Sequence, residues 1–204
     1  MSLTIPFSEA CERNKDPIFE LIEPILKSVD SVLEIGSGTG QHAIYFAQQV
    51  PHLKCQTSDQ EIYLEGIRAQ LQNAELQNVL LPIEIDVTQE RWLPTGAMKY
   101  DVVYSANTLH IMSWAQVQDF FRGLSEVLNS NSNGKLIVYG PFKYQGQFTS
   151  PSNAQFDQSL KQRDPLSGIR DFEAVNELAE QQGFSLQADY ALPANNQCLV
   201  WKKA

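Results

Sequence analysis

The stretch Ser31-Val32-Leu33-Glu34-Ile35-Gly36-Ser37-Gly38-Thr39-Gly40-Gln41 decides the fold. A short apolar strand runs into three glycines at alternate positions, and a helical pattern follows at once with Ala43, Ile44, Ala47 and Val50 on one face. Strand, glycine turn and helix open an α/β nucleotide-binding unit. Glycines suit this turn because the backbone reverses sharply and a ligand must come close to the main chain.

Outward from the turn, strands and helical patterns alternate. A second strand, Leu53 to Thr57, ends at Ser58-Asp59, and a helix follows from about Glu61 with Ile62, Leu64, Ile67 and Leu71 on one side. Val79–Asp86 reads as a third strand, its Pro82 pointing to an edge position or a strand start. Trp92, in the loop that follows, reads as a cover for the core. Asp101–Asn107 is the fourth strand, followed by a helix from about Trp114 with Val117, Phe121, Leu124 and Leu128 at spacings of three and four. Asn129–Gly134 reads as a turn and Lys135–Gly140 as the fifth strand. Asp171 is expected to cap a helix carrying Phe172, Val175, Leu178 and Ala179, closed by Gly183. Phe184–Tyr190 and Gln197–Trp201 read as an antiparallel pair around Pro193-Ala194-Asn195-Asn196. The expectation is an α/β fold: a Rossmann-like seven-stranded, mostly parallel sheet with an antiparallel last strand and helices on both faces. Strands one and four flank the topological switch point, where open sheets of this kind bind ligands.

Two segments stand outside the alternation. Asp16-Pro17 reads as an N-cap and first position of a helix bearing Ile18, Phe19, Leu21, Ile22, Ile25 and Leu26, with Pro24 expected to kink or break it. Residues 1–15 before it lack clear periodicity and read as a loose arm, with a lid over the site as the alternative. Residues 141–170 carry no long period, yet Phe142, Tyr144, Phe148 and Phe156 speak against disorder. An ordered insertion is expected there, with a short helix near Gln155–Gln162 lying over the strand ends.

Composition bounds the rest. A chain of 204 residues with 43% hydrophobic and 19% charged content reads as one soluble globular domain. The net charge of -9 argues against nonspecific attraction to nucleic acid or anionic membranes. No run of about 18 apolar residues suggests a membrane span, and Met1–Pro6 lacks the basic start and apolar core of a secretory leader. Cys11, Cys55 and Cys198 have neither metal-ligand spacing nor a disulfide pattern, so a reducing, cytoplasmic setting and no metal are expected.

The ligand follows from charge. A dinucleotide turn of the form G-x-G-x-x-G needs glycine at position 41, which is Gln here. A pyrophosphate is best received by backbone donors with no carboxylate nearby. Yet Glu34 precedes the turn, Asp59 and Asp86 end the neighbouring strands, and Ser31–Gln41 contains no Lys or Arg. Three carboxylates suit a ligand with positive charge and vicinal hydroxyls, and S-adenosylmethionine fits. NAD fits less well, and ATP poorly, because Gly-Lys-Ser/Thr is absent. The candidate cofactor contacts are Glu34, Gly36, Ser37, Gly38 and Gly40 in the turn, Asp59 for the ribose and Asp86 on the adenine side. Asp59 also reads as a cap for the next helix.

Glu34-Ile35-Gly36-Ser37-Gly38-Thr39-Gly40 resembles the first motif of the class I S-adenosylmethionine-dependent methyltransferases, and Asp59, Asp86 and Asp101–Asn107 fall where that family's later motifs would fall. Longer stretches, among them Ala10-Cys11-Glu12-Arg13-Asn14, Asn107-Thr108-Leu109-His110-Ile111, Ser152-Asn153-Ala154-Gln155-Phe156-Asp157 and Gly168-Ile169-Arg170-Asp171, resemble the subgroup whose animal members are called methyltransferase-like protein 26. At Leu166-Ser167 the chain departs from that subgroup, where a bulky aromatic is expected. The resemblance implies the fold and cofactor binding, with no named substrate.

Methyl transfer is an in-line displacement whose rate rests largely on positioning. His110, just past the fourth strand, is the candidate base, with a buried histidine bonded to the backbone as the alternative. Asn107 is placed to orient the nucleophile or the methionine part, and Tyr139 to bond a substrate or to pack at the sheet end. Arg163 and Arg170 are candidates to receive an anionic acceptor, or to brace the insertion against Asp164 and Asp171. Phe142 and Asn195 are candidate substrate contacts, and Arg13 is expected to meet the cofactor carboxylate if the N-terminal arm folds over. The function expected is methyl transfer to a small molecule or protein, with nucleic acid and membrane disfavoured. The alternative is a cofactor-binding scaffold without turnover.

Overall fold

The computed structural model describes residues 6–129 and 134–204. The expected turn at Asn129–Gly134 therefore lies largely outside the described residues, as do the first five residues.

Elements follow in the order α1 (Glu9–Leu26), β1 (Ser31–Ile35), α2 (Gln41–Gln49), β2 (Lys54–Asp59), α3 (Glu61–Ala74), β3 (Val79–Glu84), β4 (Val102–Ala106), α4 (Trp114–Val127) and β5 (Lys135–Gly140). The insertion then supplies β6 (Phe142–Tyr144), β7 (Gln147–Phe148), α5 (Pro151–Arg163) and β8 (Arg170–Asp171). Last come α6 (Phe172–Gln181), β9 (Phe184–Leu192) and β10 (Asn196–Lys203). The main sheet has seven strands in the order β3-β2-β1-β4-β5-β10-β9, and β6, β7 and β8 form a small sheet of their own. Strands β1 to β5 run parallel, and β10 runs antiparallel to both its neighbours. β3, with its Pro82, is an edge strand, where a missing backbone donor is tolerated.

Period-two alternation divides the strand residues between two faces. Leu33 and Ile35 of β1, Val103 of β4 and Leu136 and Val138 of β5 join a buried cluster with Phe120 and Leu124 of α4 and Val175 of α6. Val32, Val102, Tyr104, Ile137 and Tyr139 join a second cluster on the other face, with Ile18 and Ile22 of α1 and Phe46 of α2. Position 34 shares the parity of position 32, so Glu34 points toward α1 and α2. Trp92 is buried against Phe120, as its reading as a core cover requires.

The N-terminal reading needs correcting. α1 starts at Glu9, capped by Ser8, whose Oγ accepts from the Cys11 N–H at 3.3 Å, and it runs on through both Pro17 and Pro24. The loose arm is thus the first two turns of a helix. Glu9 and Glu12 in its first turn complement the helix dipole. An interior proline costs roughly 3 kcal/mol. Buried Ile18, Phe19, Ile22 and Leu26 each return roughly 1.5–3 kcal/mol, and together they offset the two prolines. The insertion is ordered, and its helix α5 is longer than expected because Ser150 caps it and Pro151 sits in its first turn. Asp171 gives no side-chain cap to α6. Its carboxylate accepts from the Gly146 N–H at 3.0 Å and pairs with Lys143 at 3.0 Å.

Candidate active site

A cavity of about 1030 Å³ lies at the carboxyl ends of β1 and β4. The glycine turn is its floor. The N–H groups of Gly36 and Ser37 both donate to the Ser58 carbonyl, at 3.0 and 2.9 Å, which pins the turn to β2. Gly36 has φ +75°, and a Cβ there would lie 2.4 Å from Thr108 Cγ2. Gly38 has φ +57°, and a Cβ there would meet nothing within 4 Å, so its backbone faces open space. Its N–H donates to Asp59 Oδ2 at 2.7 Å, and the Gln60 N–H donates to Asp59 Oδ1 at 2.8 Å. Burial pushes the Asp59 carboxyl up, opposed by these two bonds. Each carboxylate oxygen keeps acceptor capacity toward the cavity it lines. Ile85 and Val87 add apolar wall beside it.

The roof is the first half of α1, held down by Gln41 and His42 at the start of α2. Gln41 Oε1 accepts from the Ser8 N–H at 2.6 Å and from Thr39 Oγ1 at 2.9 Å. His42 Nε2 lies 2.7 Å from Asn14 Oδ1, which calls for the Nε2–H tautomer. Its Nδ1 lies 3.5 Å from Glu34 Oε1, and Glu34 Oε2 has no hydrogen-bond partner among the described residues. Ala10, Cys11, Arg13 and Asn14 line the cavity from above.

The far end is built from the β4–α4 loop, the insertion and the last hairpin. Asn107 sits in the left-handed region at φ +59°, its N–H donating to the Tyr139 carbonyl at 2.8 Å. His110 is 7% exposed, and its imidazole has no hydrogen bond among the described residues. It meets the Phe156 ring edge-on, with centroids 5.2 Å apart. A Cβ on Gly140 would lie 3.8 Å from His110 Nδ1 and 3.9 Å from Asn107 Oδ1, so the two side chains converge on one spot. Burial pulls the His110 pKa down to about 4, aided by the positive charges of Arg170 and Arg163. The Tyr139 phenol accepts from Asn196 Nδ2 at 2.8 Å. Burial raises its pKa, and hydrogen bonds from Asn196 and Asn14 oppose that rise.

Gly36, Ser37, Gly38, Asp59, Asn107, His110, Tyr139 and Arg13 all line this one cavity. Other candidates sit elsewhere. Glu34 is buried behind the turn, on the α1–α2 face, because of its strand parity. Gly40 is the N-cap of α2, and the position its Cβ would take faces Ile67 of α3 rather than the cavity. The Asp86 carboxylate folds back on its own loop, accepting from the Thr88 N–H at 2.9 Å and Oγ1 at 2.8 Å. Phe142 is 2% exposed and belongs to the hydrophobic core. Arg170 is a brace: its guanidinium donates to the carbonyls of Leu109, Met112 and Leu166. Arg163 is exposed and bonds the Ser159 carbonyl at 3.3 Å within α5. Asn195 faces α5, its carbonyl accepting from Asn153 at 2.9 Å, while the neighbouring Asn196 takes the lining position. Sequence reasoning missed Asn14, His42 and Phe156, and in the Asn195-Asn196 turn it singled out Asn195. Only Ser8, a capping residue with acidic residues following it, hinted that α1 began early enough to bring Asn14 over the site.

Among the described residues no group of three or more His, Cys, Asp or Glu side chains is placed to hold a metal, and no helix is long and apolar enough to cross a membrane. The fold is that of the class I S-adenosylmethionine-dependent methyltransferases. The methyltransferase SibL superposes with a TM-score of 0.77 at 22% identity, covering 95% of this chain and 55% of that one. Human N-acetylserotonin methyltransferase, solved in complex with S-adenosylmethionine, gives 0.78 at 15%, covering 96% and 53%. Mitomycin 7-O-methyltransferase MmcR gives 0.74 at 16%, covering 88% and 50%. The chain thus spans about half the length of these solved proteins, and the likeness establishes the fold alone. The chain belongs to the family described as "Protein of unknown function (DUF938)", whose model matches residues 5–203.

Proposed function

We propose that this protein is a cytoplasmic S-adenosylmethionine-dependent methyltransferase that acts on a small molecule or a protein rather than on nucleic acid. The observation that carries the reading is the union, in one cavity, of the glycine turn with Asp59 at one end and, at the other, a buried His110 whose ring has no hydrogen bond among the described residues. Its volume of about 1030 Å³ reaches the top of the roughly 300–1,000 Å³ that holds one drug-sized ligand, so a donor and a small acceptor fit together. The resemblance to the methyltransferase-like protein 26 subgroup and the complex of the human neighbour with S-adenosylmethionine point the same way.

The residues suit this cofactor. Open space over Gly38 admits close approach to the main chain, and the free lone pairs of Asp59 suit vicinal ribose hydroxyls. Ile85 and Val87 suit a flat base. Arg13 is the one Lys or Arg among the described lining residues and suits a carboxylate. When bound, S-adenosylmethionine supplies a methyl group on a positively charged sulfur that departs as a neutral thioether. The protein's part is to hold the acceptor in line, exclude water and accept a proton. Asn107 and Tyr139 position the acceptor, and His110, neutral at physiological pH, accepts its hydrogen.

Thermal unfolding with S-adenosylmethionine, S-adenosylhomocysteine and NAD tests the reading. At a ligand concentration 100 times Kd the stabilisation is about 2.7 kcal/mol. That corresponds to a rise of roughly 5–10 °C for a chain of this size. A rise with NAD alone would overturn it. Label transferred from radioactive S-adenosylmethionine to an extract, above an Asp59→Ala control, separates turnover from mere binding.

A further inference from the structure

The far end of the cavity defines what it accepts, and the inference rests on the methyltransferase reading above. His110 is a buried polar ring with no hydrogen bond among the described residues, aimed into the cavity beside Asn107 Oδ1. Such a group calls for a ligand donor. Apolar groups stand on one side of it: Phe156 edge-on at 5.2 Å, with Ile111 and Met112 on the same loop. Among the described residues that line this far end, none is a Lys or Arg that could pair with an acidic acceptor, Arg13 lying at the roof instead. Arg170 is engaged by three backbone carbonyls, Arg163 lies outside the lining, and Asp164 adds a carboxylate to it. A carboxylate brought in here would be desolvated without a partner.

We infer that the acceptor is a small, carboxylate-free phenol or thiol, its ring or apolar body against Phe156, Ile111 and Met112 and its X–H (X = O or S) donating to His110. The positive charges of Arg170 and Arg163, which depress imidazolium formation, favour negative charge developing on X at the same place. An aliphatic hydroxyl, far less acidic, gains too little from so weak a base. In the transfer the acceptor's X–H bond breaks toward the imidazole nitrogen, and the X lone pair forms the X–CH₃ bond as the sulfonium carbon–sulfur bond breaks, its electron pair staying on sulfur. The proton then leaves the imidazolium for solvent, which its low pKa favours.

The test measures S-adenosylhomocysteine and methylated product with four probes: p-cresol, phenylmethanethiol, benzyl alcohol and 4-hydroxybenzoate. Turnover is expected with the first two, about a hundredfold less with benzyl alcohol, and at least about tenfold less with 4-hydroxybenzoate. Ile111 is 57% exposed, so Ile111→Arg leaves the fold intact and is expected to raise the 4-hydroxybenzoate to p-cresol ratio. Equal or faster turnover of benzyl alcohol or 4-hydroxybenzoate overturns the assignment, as does no turnover of any probe by protein that binds S-adenosylmethionine. Failure to bind S-adenosylmethionine overturns the methyltransferase reading instead.

Discussion

The two ends of the cavity are made in different ways. The glycine-turn end is mostly backbone: Gly36 and Ser37 bond the Ser58 carbonyl, and Gly38 bonds Asp59, so its shape follows from strand register. The far end is side chains gathered from three places, His110 from the β4–α4 loop, Phe156 from α5 and Asn196 from β10. A backbone site keeps its geometry through changes of side chain and fails when a glycine is replaced. A side-chain site leaves the fold alone when altered and loses its chemistry. The two ends therefore separate donor binding from acceptor chemistry, and substitutions at each should show it.

The largest effect is expected at Gly36. In Gly36→Ala the new Cβ meets Thr108 Cγ2 at 2.4 Å in a left-handed backbone. The conformational cost of about 1–2 kcal/mol adds to an overpacking cost of roughly 1–3 kcal/mol. Urea unfolding should show the sum, and cofactor binding should vanish. The double variant with Thr108→Ser, which removes Cγ2 and keeps the hydroxyl beside Ser105, should recover the overpacking part only.

His110→Gln should bind cofactor normally and lose about a hundredfold in turnover. The pH profile sharpens this. The group is depressed from 6.5 to about 4, so its neutral form persists well below neutrality. Wild-type turnover should stay level down to about pH 5 and fall as pH drops through about 4, not through 6.5. Between those values the unfolded chain binds the proton that the folded chain refuses. Stability from this group is thus full above pH 6.5 and lost on acidification, by at most about 3 kcal/mol. His110→Gln should remove that slope in urea midpoints taken from pH 4.5 to 7.

Asn14→Leu cuts the roof from His42 while leaving the strands in place. A tenfold weaker affinity by calorimetry, about 1.4 kcal/mol, is expected with turnover at saturation little changed. Arg13→Ala should do least. Arg13 is mostly exposed, and its only ion pair among the described residues is with Glu9 at 3.9 Å. About a threefold loss of affinity is expected if it meets the cofactor carboxylate, and an unchanged value removes Arg13 from the site.

The same contrast explains what could be read in advance. The alternation of strands and helices, the switch point, the glycine turn and the place of Asp59 at a strand end follow from local periodicity and turn chemistry, which sequence carries directly. Glu34 misled because its acidity was read without its parity: beside Val32, it belongs to the α1–α2 face. Asp86 misled because a short carboxylate two residues before Thr88 bonds its own loop first. Phe142 and Arg170 carried suitable chemistry, but only packing reveals that one is core and the other a brace for three carbonyls. Asn14 was hidden by Pro17 and Pro24, which argued for a short helix until the buried stripe of α1 was weighed against them.

Calorimetric titration of the protein and its Asp59→Ala variant with S-adenosylmethionine tests the central claim most directly. Asp59 is half-buried with lone pairs left over, and a charged hydrogen bond contributes roughly 1.5–3 kcal/mol. Saturable one-to-one binding is expected for the wild type, weakened about 10- to 150-fold in the variant. No binding to the wild type, or the same affinity in both proteins, would contradict a donor site at the glycine turn.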